Sequence, residues 1–257
     1  MNIDLRRSII LSNIVYNDKN YEVRQEYERV YLDFYSICNK WRINNDLRKN
    51  IKKNKLYFIK DSYIICNKRD NTLYISIAGT IHNKQFMEYL FGFFEKVSEI
   101  NEFCEGEYYF HSKFLEYFRK IKDKLYEIIE ENNTEKIVIS GHSVGGSVAV
   151  LAALIIKVKY ANKLVDFYSF GAPSGCCNNL QILINNTLSK CINYHIKKDF
   201  IPKMTPKILF KYPGKIIILN DDKLDKLNRL NLKRECYFYR KIKNYYYLIN
   251  RLKDNNK

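Results

Sequence analysis

The sequence predicts an α/β fold, a mostly parallel central sheet flanked by helices with a helical N-terminal segment ahead of it. Three observations carry that prediction. Between Tyr57 and Pro202, stretches with strand periodicity alternate with stretches of helical periodicity. At the centre lies Ile137-Val138-Ile139-Ser140-Gly141-His142-Ser143-Val144-Gly145-Gly146, followed by a run of small and aliphatic residues over 147–158. β-Branched residues, a Gly-x-Ser-x-Gly turn and an apolar run read as buried strand, tight turn and buried helix. Finally, 257 residues at 46% hydrophobic content bury a substantial core, and one domain over 1–257 is the simplest division.

Taken in order, residues 1 to about 55 read as helical. Ile9, Ile10, Ile14 and Val15 recur at helical spacing, as do Tyr27, Val30, Tyr31, Phe34 and Tyr35, with Asn17-Asp18-Lys19-Asn20 between the two sets. From Tyr57 the period becomes that of strands. Stretches 62–66 and 73–77 flank Lys68-Arg69-Asp70-Asn71, a hairpin signature, and the second ends in Ala78-Gly79-Thr80. An apolar island over 86–94 reads either as a buried helix or as a mobile lid over an apolar site. Residues 107–110 suit a short strand. His111-Ser112 then opens an amphipathic helix with Phe114, Leu115, Phe118, Ile121, Leu125, Ile128 and Ile129 on one face, ended by Asn132-Asn133. Beyond the central turn, a strand over 164–170 runs into Gly171-Ala172-Pro173. A helix at 180–188, strands at 192–196 and 215–219, and a Tyr-rich helix over 232–252 complete the reading.

Composition bounds the function classes. No stretch approaches the ~18–20 uninterrupted apolar residues of a membrane span, and the first residues lack a secretory pattern, so a cytoplasmic protein is expected. The seven cysteines are scattered and form no CxxC pair, which suits reduced thiols and neither a metal site nor a disulfide framework. No cofactor motif is present. A net charge of +16 favours anionic surfaces such as phospholipid headgroups or nucleic acid. The cations are interleaved with Asn, Tyr and Ile almost throughout, as a skewed composition also produces, and no nucleic-acid-binding motif accompanies them.

The central turn carries the chemistry. A Gly-x-Ser-x-Gly between strand and helix strains its serine at the tip, and a Cβ at Gly141 or Gly145 would meet the crossing strand and helix. The helix N-terminus that follows aims free N–H groups at the point where an anion forms. Ser143 is therefore the candidate nucleophile for acyl transfer. The acid that orients a base is expected after the serine, at the C-terminal end of a later strand, and Asp199 occupies that position. The oxyanion donors are the N–H of Val144 and, after an earlier strand, the N–H and hydroxyl of Thr80.

Five blocks resemble the class 3, fungal-type lipases of the α/β-hydrolase superfamily. Residues 75–80 resemble a strand ending in Phe-Arg-Gly-Thr, with Ala78 for arginine; Phe110-His111-Ser112-Lys113-Phe114 resembles Val-His-x-Gly-Phe, with Lys113 for glycine. Residues 141–146 resemble Gly-His-Ser-Leu-Gly-Gly, 167–173 resemble Tyr-Thr-Phe-Gly-Ala-Pro, and 199–206 resemble Asp-x-Val-Pro-x-Leu-Pro-Pro. The resemblance implies a serine carboxylester hydrolase acting on triacylglycerol, another acyl lipid or a small ester. It implies Ser143 as nucleophile, Asp199 as acid and Thr80 at the oxyanion. A peripheral contact with an anionic membrane surface fits the charge.

One part of the pattern is absent. The family's catalytic histidine lies near the C-terminus, and this chain has no histidine after His195; Arg240 stands where it is expected. A guanidinium stays protonated and is no general base. Of the four histidines, His142 is expected to point away from the turn, and His111 to be structural. His195, four residues before Asp199, lies about 13 Å below the sheet edge at ~3.3 Å per residue. His82, two residues past Thr80, is the least remote replacement. The alternative to an esterase is thus a catalytically impaired lipase-like fold that binds lipid or an anionic partner.

Overall fold

The computed structural model describes residues 2–15, 55–59, 62–79, 92–220, and 242, 244–246, 248 and 249 near the C-terminus. Nine strands and four longer helices are assigned among them, named here in chain order. They are α1 (Ile3–Ile14), β1 (Lys55–Ile59), β2 (Ser62–Arg69), β3 (Thr72–Ile77), β4 (Phe94–Lys96), β5 (Tyr109–His111) and α2 (Ser112–Asn132). After these come β6 (Lys136–His142), α3 (Val144–Lys159), β7 (Leu164–Phe170), α4 (Asn178–Thr187), β8 (Lys190–Ile196) and β9 (Lys215–Leu219).

Seven strands form one sheet in the order β1-β2-β3-β6-β7-β8-β9. The first three are antiparallel; from β3 to β9 all neighbours are parallel. The expected hairpin is β2–β3, turning at Asp70 with a left-handed φ of 53°. β4 and β5 pair separately.

The strands alternate between two cores, as the period of two requires. Leu73, Ile75, Ile77, Ile137, Ile139, Val165 and Phe167 join α2, α3 and α4 in one core. Tyr74, Val138, Tyr168 and Phe170 join α1 and the helical residues Ile242, Tyr245, Tyr246, Leu248 and Ile249 in the other. α3 is buried over Val144–Ile156, which explains why its sequence is apolar all round and shows no polar face. α2, in contrast, buries one stripe and ends at Asn133, whose left-handed φ of 36° suits a helix C-terminus.

α1 packs across the sheet as the first helical set predicts. Its Ser12 hydroxyl pairs with that of Ser76 at 2.8 Å, and Asp4 accepts from Tyr74 at 2.7 Å and from Lys136 at 2.8 Å. The second helical set (27–35), most of the apolar island (residues 86–91), Thr80, His82 and Arg240 lie outside the described residues. Of the island's described tail, Phe94 opens β4. No helix among the described residues is long and apolar enough to cross a membrane.

Candidate active site

The turn between β6 and α3 is built as its sequence requires. Ser143 has φ 55° and ψ −135°, a region that side-chain-bearing residues rarely occupy and that costs of order 1–3 kcal/mol. Backbone bonds hold it there: its N–H donates to Phe170 O at 3.0 Å, and its carbonyl accepts from Gly146 N–H at 2.9 Å. A Cβ on Gly145 would collide with the carbonyls of Ile77 and Ala78, so the end of β3 passes directly against the first turn of α3. That crossing brings the chain leading to Thr80 beside the serine's turn. The Tyr117 hydroxyl donates to Ala78 O at 2.8 Å and fixes the exit of β3.

Ser143 is 1% exposed, and its Oγ has no hydrogen-bond partner among the described residues. Val144 is the first residue of α3, so its N–H is one of the helix-end donors with no acceptor within the helix.

Asp199 lies in the turn after β8 and is 7% exposed. Its N–H closes the turn onto Ile196 O at 3.0 Å. Oδ1 accepts from Ile201 N–H at 3.0 Å and Oδ2 from the Tyr245 hydroxyl at 3.0 Å. The same hydroxyl accepts from Ile196 N–H at 3.0 Å, so Tyr245 ties the carboxylate to the end of β8. Burial, with Asp199 adding to it, pushes the Tyr245 hydroxyl far above its usual range and keeps it a donor.

The turn between β7 and its successor joins the two halves. Phe170 O receives the Ser143 N–H, and the next residue, Gly171, has φ 63°. A Cβ there would sit 2.8 Å from Asp199 Oδ2 and 2.8 Å from Tyr245 Oη. Consecutive residues of one turn therefore meet the backbone of the candidate nucleophile and the carboxylate of the candidate acid. The Gly-Ala-Pro block owes its glycine to both the left-handed φ and this close approach.

The profile of the class 3 lipases matches residues 74–209. The chain belongs to the class 3 lipase family. A secreted mono- and diacylglycerol lipase of Malassezia restricta is 26% identical over 127 residues, 46% of this chain and 41% of that protein. A triacylglycerol lipase of Ricinus communis is 25% identical over 87 residues, 32% of this chain and 16% of that one. The chain thus spans less than half the length of these curated relatives.

Among solved structures, a triacylglycerol lipase whose catalytic centre is a serine protease triad superposes with a TM-score of 0.64. That match is 15% identical and covers 86% of this chain and 81% of that one. The Rhizomucor miehei lipase propeptide complex gives 0.61 at 16% identity over 87% and 70%. At these identities the likeness shows the shared α/β-hydrolase-type fold.

In this class 3 lipase family member none of the described histidines hydrogen-bonds Ser143 Oγ. His142 is 1% exposed, and its ring lies 6.2 Å from the Tyr245 ring, on the face of the sheet opposite α3. His195 lies within β8, paired in register with Ile218, its ring 4.8 Å from that of Tyr212. Burial pushes its imidazole down to about 4, against the pull of Asp199, and its Nε2 has no described partner. His111 stacks on Phe114 at 4.1 Å, and burial pushes it down to about 4 as well. Tyr245, which hydrogen-bonds the candidate acid, is a site residue that the sequence alone did not mark.

Proposed function

We propose that this chain is a serine carboxylester hydrolase of lipase type, a single domain over residues 1–257 acting on an acyl lipid or small ester presented at an anionic lipid surface. The observation that carries this reading is Ser143 itself. It has a strained backbone, a buried Oγ with no described partner and the N-terminus of α3 behind it, and Phe170 and Gly171 link its backbone to the Asp199 carboxylate.

In this mechanism Ser143 Oγ bonds to the ester carbonyl carbon as its proton passes to a base. The carbonyl oxygen becomes an oxyanion, which the N–H of Val144 and the N–H and hydroxyl of Thr80 stabilise. Collapse breaks the bond to the alcohol, which leaves with the proton. Water then attacks the acyl-Ser143 ester by the same route and frees the acid. Asp199 orients the base and stabilises its charged form. Among the histidines, His82 has the sequence position that best fits the base. No metal or redox cofactor enters these steps. Five thiols free among the described residues support a reducing compartment, the cytoplasm.

The second reading, a lipid-binding member of the family with impaired catalysis, is favoured by the absence of a hydrogen bond from His111, His142 or His195 to Ser143 Oγ among the described residues. Turnover of a short-chain soluble ester by the wild type and its loss in Ser143→Ala test the first reading. Equal rates in both proteins would sink it.

A further inference from the structure

The segment that begins at the candidate acid carries a second feature that acyl transfer does not use. Residues 197–211 read Lys-Lys-Asp-Phe-Ile-Pro-Lys-Met-Thr-Pro-Lys-Ile-Leu-Phe-Lys: five lysines and one carboxylate, Asp199. That carboxylate is buried and turned toward Tyr245, so the outer surface of the segment shows only cations, apolar groups and neutral residues. Lys203 and Lys211 donate to the backbone carbonyls of Lys197 and Lys207 at 3.1 Å each, which leaves their charges uncompensated. Among the described residues, no carboxylate pairs with Lys197, Lys203, Lys207 or Lys211. Elsewhere exposed lysines do find acids, as Lys96 does with Glu107 and Lys113 with Glu116.

Between these lysines, large apolar side chains face outward. Ile208 is 85% exposed and Leu209 53%, on a turn closed by Leu209 N–H and Phe210 N–H on Pro206 O. Phe200 is 43% exposed at the other end. Phe93, 82% exposed, joins them because its neighbour Phe94 packs on Phe210 with ring centroids 4.6 Å apart.

The segment is held in place. The Tyr212 hydroxyl donates to Ala172 O and lies 2.6 Å from Pro202 O, Thr205 Oγ1 meets the Ser174 hydroxyl at 2.9 Å, and Lys211 N–H donates to Cys176 O at 2.8 Å. It is thus fixed to the residues that follow β7, at the edge of the sheet where Ser143 and Asp199 lie.

We propose that this segment, with Phe93, is a membrane-docking surface that seats the candidate site on an anionic phospholipid bilayer. Ile208 and Leu209 enter the boundary between headgroups and acyl chains, and the lysines meet the negative headgroups. Charge complementarity selects the anionic lipid. The protruding aliphatic tips select a bilayer over nucleic acid, since hydrocarbon gains from burial and gains nothing against a phosphodiester backbone. The proposal deepens the hydrolase reading and rests on it for what the docked protein does, but docking itself is measured without turnover.

The test is flotation of the full chain with vesicles of phosphatidylcholine alone and of phosphatidylcholine containing phosphatidylserine, with soluble short-chain ester turnover followed in parallel. Binding is expected to the second vesicle type only and to weaken as salt is raised. The double variant Lys203→Ala, Lys207→Ala is expected to bind about 25-fold more weakly, near fivefold per lysine removed. Ile208→Ser with Leu209→Ser should also weaken binding, and in both variants the circular dichroism and soluble-ester rate should stay as in the wild type. Equal binding to both vesicle types, unchanged binding in either double variant, or tighter binding to a DNA duplex than to the anionic vesicles would overturn the proposal. Ester turnover without vesicle binding overturns docking and leaves the hydrolase; vesicle binding without turnover supports docking and sinks the hydrolase.

Discussion

The Tyr245 hydroxyl donates to Asp199 Oδ2 at 3.0 Å while accepting from Ile196 N–H at 3.0 Å, so one phenol joins the C-terminal helical residues, the candidate acid and the end of β8. Both bonds are buried. Replacing Tyr245 with phenylalanine removes the acceptor of one buried N–H and a donor to one carboxylate oxygen, a loss of about 1–3 kcal/mol for each group left unsatisfied. Urea unfolding of Tyr245→Phe is expected to show a clear loss of stability, and ester turnover to fall as Asp199 loses its fixed orientation. Unchanged values of both would mean that the tyrosine does not hold the acid.

Gly171 allows a second test of the same geometry. Alanine there would take a left-handed φ of 63° and put a methyl 2.8 Å from Asp199 Oδ2. Crowding of this kind typically costs 1–3 kcal/mol, and the carboxylate must move. Gly171→Ala is expected to unfold at lower urea and to lose turnover out of proportion to its residual folded fraction. Circular dichroism alongside rate measurements separates the two effects.

Two histidines set an acid limit on stability. Burial holds both His111 and His195 down at about 4, against an unfolded value of 6.5. Between those values the unfolded chain binds protons that the folded chain refuses, so stability rises with pH through this window. It is complete above 6.5 and falls by roughly 1.4 kcal/mol per histidine for each pH unit below. Urea unfolding at pH 7.5 and pH 5 is expected to show the loss, and His195→Gln to reduce the pH dependence by about half. A stability independent of pH between these values would contradict the burial of both rings as neutral groups.

The base is addressed by substitutions outside the described residues. His82→Ala is expected to cost about a hundredfold or more in ester turnover, the range for a lost general base, and Arg240→Ala to leave it unchanged. Arg240→His is expected to raise turnover, because the class 3 pattern puts an imidazole there. Turnover that survives His82→Ala intact would assign the rate to the oxyanion donors without a histidine base.

Much of this site was legible in the sequence because its constraints are local. The turn at Ser143 needs glycines at fixed offsets, a β-branched strand before it and small residues after it, all within a dozen positions. Asp199 could be placed because it lies just past a strand with a recognisable period. The hairpin at Asp70 and the end of α2 at Asn133 were likewise written in single turns. Tyr245 was not legible. It meets an acid 46 residues away in sequence, and a stretch with several tyrosines gives no sign of which one faces the sheet. The outward turn of Ile208 and Leu209 was not legible either, since it depends on how Thr205 and Tyr212 anchor the segment.

The central claim, that Ser143 is an activated nucleophile, is tested most directly by intact-mass measurement after treatment with a fluorophosphonate. One adduct is expected on the wild type, mapped to Ser143 by peptide sequencing and absent from Ser143→Ala. A folded wild-type protein that stays unlabelled, or an adduct that persists in Ser143→Ala, would contradict it.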